Sequence, residues 1–248
     1  PQPWEYRKII GLVPGKNEAR HIEFCIRALA QVCDSIVYFD DNSTDDSVAI
    51  VESIAQECRV ERIIRKRDGE FHETIRRALP LAAGRELGGT HFVVIDADEA
   101  FTANLAQGDL LRRQILALEP GDVLELAWIQ LWRSVGQYRH DASVWTNNYK
   151  AFVFADDGSS CYDETFIHLE RVPSGLGGKR HRMPGYEYGL MHFQFVNWRN
   201  LLVKQAWYRC LERIHDPSKP APAINELYAP SKDERELGLR EVPNAWFA

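Results

Sequence analysis

Nine residues constrain this chain more than any others: His91-Phe92-Val93-Val94-Ile95-Asp96-Ala97-Asp98-Glu99. Phe, Val, Val and Ile follow one another with no polar alternation, and such a strand is buried on both faces, the habit of a parallel sheet with helices on either side. Open α/β sheets bind their ligands at the carboxyl edge, and here that edge carries three carboxylates within four residues. Their mutual repulsion calls for a counter-charge. Hard oxygen ligands with little else suit Mg²⁺ or Mn²⁺ carrying a substrate phosphate. Acidic residues after a strand also serve as a solvated turn or a helix cap, so the remainder of the chain has to decide between the two.

Upstream the pattern repeats. Lys8-Ile9-Ile10-Gly11-Leu12-Val13 reads as a strand broken by Pro14-Gly15, and apolar residues then recur at helical spacing through Ile22, Cys25, Ile26 and Leu29. Ser35-Ile36-Val37-Tyr38-Phe39 is a second strand, ending in Asp40-Asp41-Asn42-Ser43-Thr44-Asp45-Asp46-Ser47 before a helix that carries Val48, Ile50, Val51 and Ile54. Val60-Glu61-Arg62-Ile63-Ile64 is a third, and a helix from about Glu73 to Ala83 leads to the strand ending in Asp96. Strands alternating with helices at this spacing predict βαβ units and right-handed crossovers. Two strands of one sheet thus deliver acidic clusters to the same edge. Asp45 and Asp46 fit a helix N-terminus, and Asp40 and Asp41 are open to the same reading.

Val13-Pro14-Gly15-Lys16-Asn17-Glu18, the Asp40 to Ser47 run and Asp96-Ala97-Asp98-Glu99, in that order and at that spacing, resemble the family 2 glycosyltransferases of the GT-A fold over residues 1–105. The resemblance implies an α/β domain with a Rossmann-like, mostly parallel central sheet, flanking helices and an irregular C-terminal acceptor-side segment. It implies that the loop from Pro14 to Glu18, with Asn17, wraps a nucleoside, that Asp41 holds the base, and that Asp98 with Asp96 binds Mn²⁺ or Mg²⁺ on a diphosphate. A base N–H needs an acceptor and a diphosphate needs a cation, so the chemistry of the residues agrees. The donor implied is a UDP-, GDP- or dTDP-sugar and the acceptor a saccharide or glycoconjugate hydroxyl, in polysaccharide or glycoconjugate assembly.

An inverting transfer also requires a carboxylate base. The family draws it from an acidic pair downstream of the metal motif, and Asp163-Glu164 is the pair so placed, open also to reading as a surface turn or cap. A late histidine completes the metal site in related enzymes, which His192 matches, although a histidine ending an aromatic strand is also a packing residue. Arg76 or Arg77 reaches a diphosphate or nucleoside from the helix before the metal strand, or pairs with Glu73. A retaining transferase on the same fold, or a non-catalytic nucleotide-sugar-binding module, would keep the nucleoside and metal sites without a base at Asp163 or Glu164.

Other classes fall away. Gly11 to Asn17 lacks the Gly-x-x-x-x-Gly-Lys-Ser/Thr spacing of a phosphate loop, no Gly-x-Gly-x-x-Gly follows the first strand, and the Gly-rich basic signature of a nucleotidyltransferase is missing. A formal net charge of −6 with no long basic tract disfavours nucleic acid. The short basic runs Arg62 to Arg67 and Lys179-Arg180-His181-Arg182 are solvated faces or meet a diphosphate, an anionic acceptor or the inner face of a membrane. Pro1-Gln2-Pro3-Trp4 is not a signal peptide, and no apolar stretch spans a bilayer. Five scattered cysteines, Cys25, Cys33, Cys58, Cys161 and Cys210, fit a reducing cytoplasm and small core positions.

Beyond the motif the expected elements are a helix over Leu105 to Leu118, strands over Asp122 to Ile129, Tyr149 to Phe154 and Tyr188 to Phe195, a mobile Gly/Pro-rich loop from Pro173 to Gly185, and a helix from Asn197 to Ile214. One domain over 1–215 divides into a donor half, 1–105, and an acceptor half, 106–215. The Pro-rich, charged tail 216–248 is expected to lie extended on the surface.

Overall fold

A computed structural model describes residues 6–68, 70–141, 148–229 and 234–247; the amino-terminal Pro1-Gln2-Pro3-Trp4 lies outside them. Four strands, β1 (Ile9–Gly15), β2 (Ser35–Asp41), β3 (Val60–Lys66) and β4 (His91–Val94), alternate with helices α1 (Ile22–Ala30), α2 (Ser47–Ile54) and α3 (Glu73–Glu86). They pair in parallel in the order β3-β2-β1-β4. Every residue of β1 and β2 is buried, as strands covered on both faces must be, whereas β3 closes the edge with exposed Glu61, Arg62 and Arg65, the charges that discourage edge-to-edge pairing. α1 packs through Ile22, Cys25, Ile26 and Leu29 at the i, i+3, i+4, i+7 spacing of an amphipathic helix. Cys25, Cys33 and Cys58 are buried free thiols in this core.

After the motif come β5 (Glu99–Phe101), α4 (Ala103–Ala106), α5 (Leu110–Leu116), β6 (Val123–Gln130), β7 (Gln137–Tyr138), β8 (Tyr149–Ala155), β9 (Arg180–Arg182), β10 (Gly189–His192), α6 (Trp198–His215), α7 (Ala221–Leu227) and β11 (Arg240–Glu241). β8 runs antiparallel beside β4, and β6 antiparallel to β8, with β10 and β5 completing the sheet. The chain is therefore α/β, with a parallel half that carries the acidic edge and an antiparallel half beyond it.

Several elements differ from expectation for identifiable reasons. β1 continues through Pro14 and Gly15, because the Pro14 carbonyl accepts the Ala97 N–H at 3.2 Å and Gly15 lets the strand approach, a Cβ there standing 2.8 Å from that of Ala97. The helix over 105–118 is two short helices. The loop 173–185 is not open chain: β9 pairs in parallel with β6, Glu125 accepts from Arg180 at 3.0 Å and Arg182 at 2.7 Å, and His181 lies 3.0 Å from Asp122. Arg180, His181 and Arg182 of that basic run thus have carboxylate partners within the protein. The tail is likewise not extended. α7 has proline in its first turn, where a missing N–H costs nothing, and it buries Ile224, while the Tyr228 hydroxyl donates to Glu212 at 2.8 Å.

The chain divides into two units, residues 1–128, 149–191 and 244–248, and residues 129–148 and 192–243. The first holds the parallel sheet and the acidic edge. The second is built on Trp132, Phe195, Leu201 and Leu237, with the Arg139 guanidinium 5.1 Å from the Trp132 ring.

His91, at the start of β4, is buried, its Nδ1 2.9 Å from the Thr90 hydroxyl and its Nε2 3.2 Å from the Leu118 carbonyl. Burial pushes its pKa below the ordinary imidazole value. A depressed value makes the neutral ring the folded form, so its contribution is complete above the unfolded pKa of about 6.5 and is lost as pH falls through the lower folded value. Tm is expected to drop between about pH 7 and pH 5, and His91→Gln to flatten that slope in a thermal-melt series. An unchanged slope would assign the dependence to other groups.

Candidate active site

The carboxyl ends of β1, β2 and β4 lie side by side, and the two loops that follow β1 and β2 brace each other. Asn17 and Asn42 both take left-handed backbone, φ 56° and 59°, a conformation Asn tolerates better than most residues. The Asn17 N–H donates to Ser43 Oγ at 2.9 Å, while its Oδ1 accepts the Thr44 N–H at 2.7 Å. The Glu18 N–H donates to Ser47 Oγ at 2.8 Å and the Ala19 N–H to Asp45 Oδ2 at 3.0 Å. Asn17 and Asp45 thereby shape the rim. The Glu18 carboxylate stands 3.3 Å from His21 Nδ1.

Asp41 ends β2, is 1% exposed, and sits in register with Lys66. Its Oδ1 is 3.6 Å from Lys66 Nζ and its Oδ2 3.7 Å from Arg76 Nε, and Oδ2 accepts no hydrogen bond. Arg76 itself lies over the Phe71 ring, 5.2 Å from its centroid. A buried carboxylate with flanking positive charge and an open acceptor is what a nucleobase N–H requires.

The acidic motif folds into a tight turn. The Asp96 N–H donates to Glu99 Oε2 at 2.8 Å and the Glu99 N–H to the Asp96 carbonyl at 3.0 Å. Glu99 is fully buried and its Oε1 accepts from Trp128 Nε1 at 2.7 Å and Arg171 at 2.6 Å. The Asp96 carboxylate lies 3.0 Å from both Arg77 and Arg171. Burial pushes the Asp96 carboxyl up, but Arg171, Arg77 and Arg76 overcome it and hold it well below the usual carboxylate range. Much of the counter-charge at this edge therefore comes from the protein's own guanidinium groups. Sequence reading missed Arg171, 72 residues beyond Glu99, for which no local signal exists. Lys66 stood in the sequence only as part of the basic run Arg62 to Arg67, and its place beside Asp41 comes from the pairing of β3 with β2.

Asp96 and Asp98 still offer the hard oxygens a divalent cation takes, and Asp96 Oδ1 is buried with no hydrogen bond of its own. Among the described residues no three His, Cys, Asp or Glu side chains gather into a metal cluster. His192, the expected third ligand, is buried in the second unit with Nδ1 2.9 Å from Gln130 Oε1. Both members of the acidic pair are exposed and they take different partners: Glu164 pairs with His72 at 2.9 Å, and Asp163 Oδ2 accepts from Ser174 Oγ at 2.6 Å. Ser174 borders a cavity of about 430 Å³, lined also by Tyr149, Lys150, Glu170 and Arg180.

Residues 12–113 match the family model described as Glycosyl transferase family 2. A comparison with curated proteins gave no match. Among solved structures, TarS of S. aureus in complex with UDP is similar at 12% identity and TM-score 0.45, over 90% of this chain and 70% of that one. The mannosyltransferase PcManGT from Pyrobaculum calidifontis, in complex with GDP-Man and Mn²⁺, is similar at 24% identity and TM-score 0.36, over 51% and 37% of the two chains. Glucosyl-3-phosphoglycerate synthase from Mycobacterium tuberculosis, with Mn²⁺, UDP and glucosyl-3-phosphoglycerate, is similar at 23% identity and TM-score 0.26, over 39% and 36%.

Proposed function

We propose, from the match of residues 12–113 to the family model described as Glycosyl transferase family 2, that this chain is a glycosyltransferase of that family which moves a sugar from a nucleoside diphosphate donor to a saccharide or glycoconjugate hydroxyl with inversion. The observation that carries the reading is Asp41: a buried carboxylate with an open Oδ2 beside Arg76, on the same sheet edge as Asp96 and Asp98. Asp41 accepts the base N–H, and the braced loop from Pro14 to Glu18 closes over the nucleoside. Asp96 and Asp98 would hold Mn²⁺ or Mg²⁺, which when bound supplies Lewis-acid stabilisation to the leaving diphosphate. Arg77 and Arg171 keep Asp96 ionised and offer further N–H donors at the same place. Asp163 takes the acceptor proton. The reaction serves polysaccharide or glycoconjugate assembly in the cytoplasm, with peripheral contact to the membrane's inner face.

The test is nucleotide binding by UDP, GDP, dTDP and CDP, with and without Mn²⁺. A ligand at a hundredfold excess over its Kd adds about 2.7 kcal/mol to apparent stability, so the right base stands out in thermal melts. Asp41→Ala is expected to weaken that nucleotide by about 10- to 100-fold whether or not Mn²⁺ is present, because a hydrogen bond to a charged group contributes about 1.5–3 kcal/mol. Equal affinity in parent and variant would make Asp41 a structural residue and overturn the assignment.

A further inference from the structure

Helix α6, within the second unit, is amphipathic in the reverse sense. Its buried residues are Leu201, Gln205 and Glu212, and the carboxylate of Glu212 is satisfied by the Tyr228 hydroxyl at 2.8 Å and Lys219 Nζ at 2.6 Å. On the outward side Val203 is 66% exposed, Ile214 72%, Leu202 48% and Trp207 37%. At 3.6 residues per turn, Val203, Trp207, Cys210 and Ile214 form one stripe, on the side opposite Leu201 and Glu212. Exposed Arg199 and Arg213 border the stripe; Arg213 spends one N–H on the Lys219 carbonyl, which leaves its charge uncompensated. Over Trp198–His215 there are four Arg or Lys and a single acid, the buried Glu212, in a chain whose formal net charge is −6.

We propose that the outward face of α6 docks onto an anionic lipid surface, the helix lying in the interfacial plane. This rests on the peripheral membrane contact of the proposed function and deepens it by assigning that contact to one helix face, using none of the active-site residues. The charge pattern chooses the occupant: an apolar stripe with a Trp, basic flanks and no outward acid complements acyl chains beneath anionic headgroups, where Trp settles at the boundary and Arg reaches the phosphates. The same face cannot be a membrane span, since among the described residues no helix is long and apolar enough to cross a bilayer.

The experiment is co-sedimentation of the full chain with phosphatidylcholine vesicles, with and without about 30 mol % phosphatidylglycerol, at low and high salt. Binding to the anionic vesicles is expected to exceed binding to the neutral ones at least tenfold and to fall with salt. Val203→Asp with Ile214→Asp should abolish it, and Arg199→Gln with Arg213→Gln should remove the preference for anionic lipid. Both double variants alter exposed positions and should bind nucleoside diphosphate as the parent does, which separates loss of docking from loss of fold and from failure of the donor-site reading. No sedimentation with anionic vesicles, equal sedimentation of Val203→Asp with Ile214→Asp, or a parent dimer in velocity sedimentation that this variant dissociates would each overturn the proposal, the last in favour of a second copy of the chain.

Discussion

Asp163→Asn is expected to lower kcat by about 10²- to 10⁴-fold while leaving donor affinity nearly unchanged, because general-base assistance is realised in the transition state alone. The two members of the acidic pair are both exposed and differ in their partners. Glu164, with a side chain 80% exposed, is engaged by His72 at the surface, so Glu164→Gln should turn over close to the parent rate. Asp163 is anchored by its backbone, whose carbonyl accepts from Thr74 Oγ1 at 2.9 Å, and its carboxylate accepts from Ser174 on the border of the 430 Å³ cavity. That cavity has polar and charged walls in Lys150, Glu170, Ser174 and Arg180, suited to a hydroxylated acceptor. Turnover should be measured beside donor binding, with product anomericity read by NMR. If both amide variants kept the parent rate, or the product retained the donor's configuration, the base would be eliminated and the retaining reading preferred; donor binding without any turnover in the parent would favour a binding module.

The parallel half of the fold was legible because its signal is local. Uninterrupted apolar strands, an amphipathic α1 and Asn-rich turns each declare themselves within ten residues, and strands of one parallel sheet then bring Asp41 and Asp96 to the same edge; the place of Lys66 beside Asp41 required the pairing of β3 with β2. What stayed illegible is held by long-range pairs. Arg171 reaches Asp96 and Glu99 from the segment between β8 and β9, with its guanidinium 5.0 Å from the Phe152 ring and 5.7 Å from that of Trp128. Nothing in Leu169-Glu170-Arg171-Val172 distinguishes that arginine from a solvated one. β9 escaped notice for the same reason: Arg-His-Arg has no strand periodicity, and it pairs with β6 because Glu125 and Asp122 meet its charges. Pro-rich composition misled in the tail, where a first-turn proline starts α7.

Those arginines sharpen the second large effect, which falls on the metal. Asp98→Ala is expected to reduce Mn²⁺-dependent nucleoside diphosphate binding by more than about 100-fold, since even removal of a ligand's supporting partner costs 10- to 100-fold in metal affinity. The fold should persist, because one of three crowded carboxylates is gone and the turn's hydrogen bonds belong to Asp96 and Glu99. With Asp98 absent, the carboxylate remaining at the mouth of the turn is Asp96, already neutralised by Arg77 and Arg171 at 3.0 Å each. A cation arriving there meets two fixed positive charges and one ligand. Arg171→Gln should move metal affinity in the opposite direction, by lifting one of those charges from Asp96, and the two variants together separate ligand from competitor. Because the arginines hold Asp96 well below the usual carboxylate range, that carboxylate stays ionised throughout the neutral range, and Mn²⁺ affinity should show no titration by Asp96 between about pH 5 and pH 8. Mn²⁺ titration followed by electron paramagnetic resonance, with UDP or the preferred nucleotide present, reads all three outcomes. Normal donor binding by Asp98→Ala with Mn²⁺ still stimulating would remove Asp98 from the metal site and leave diphosphate neutralisation to Arg77 and Arg171.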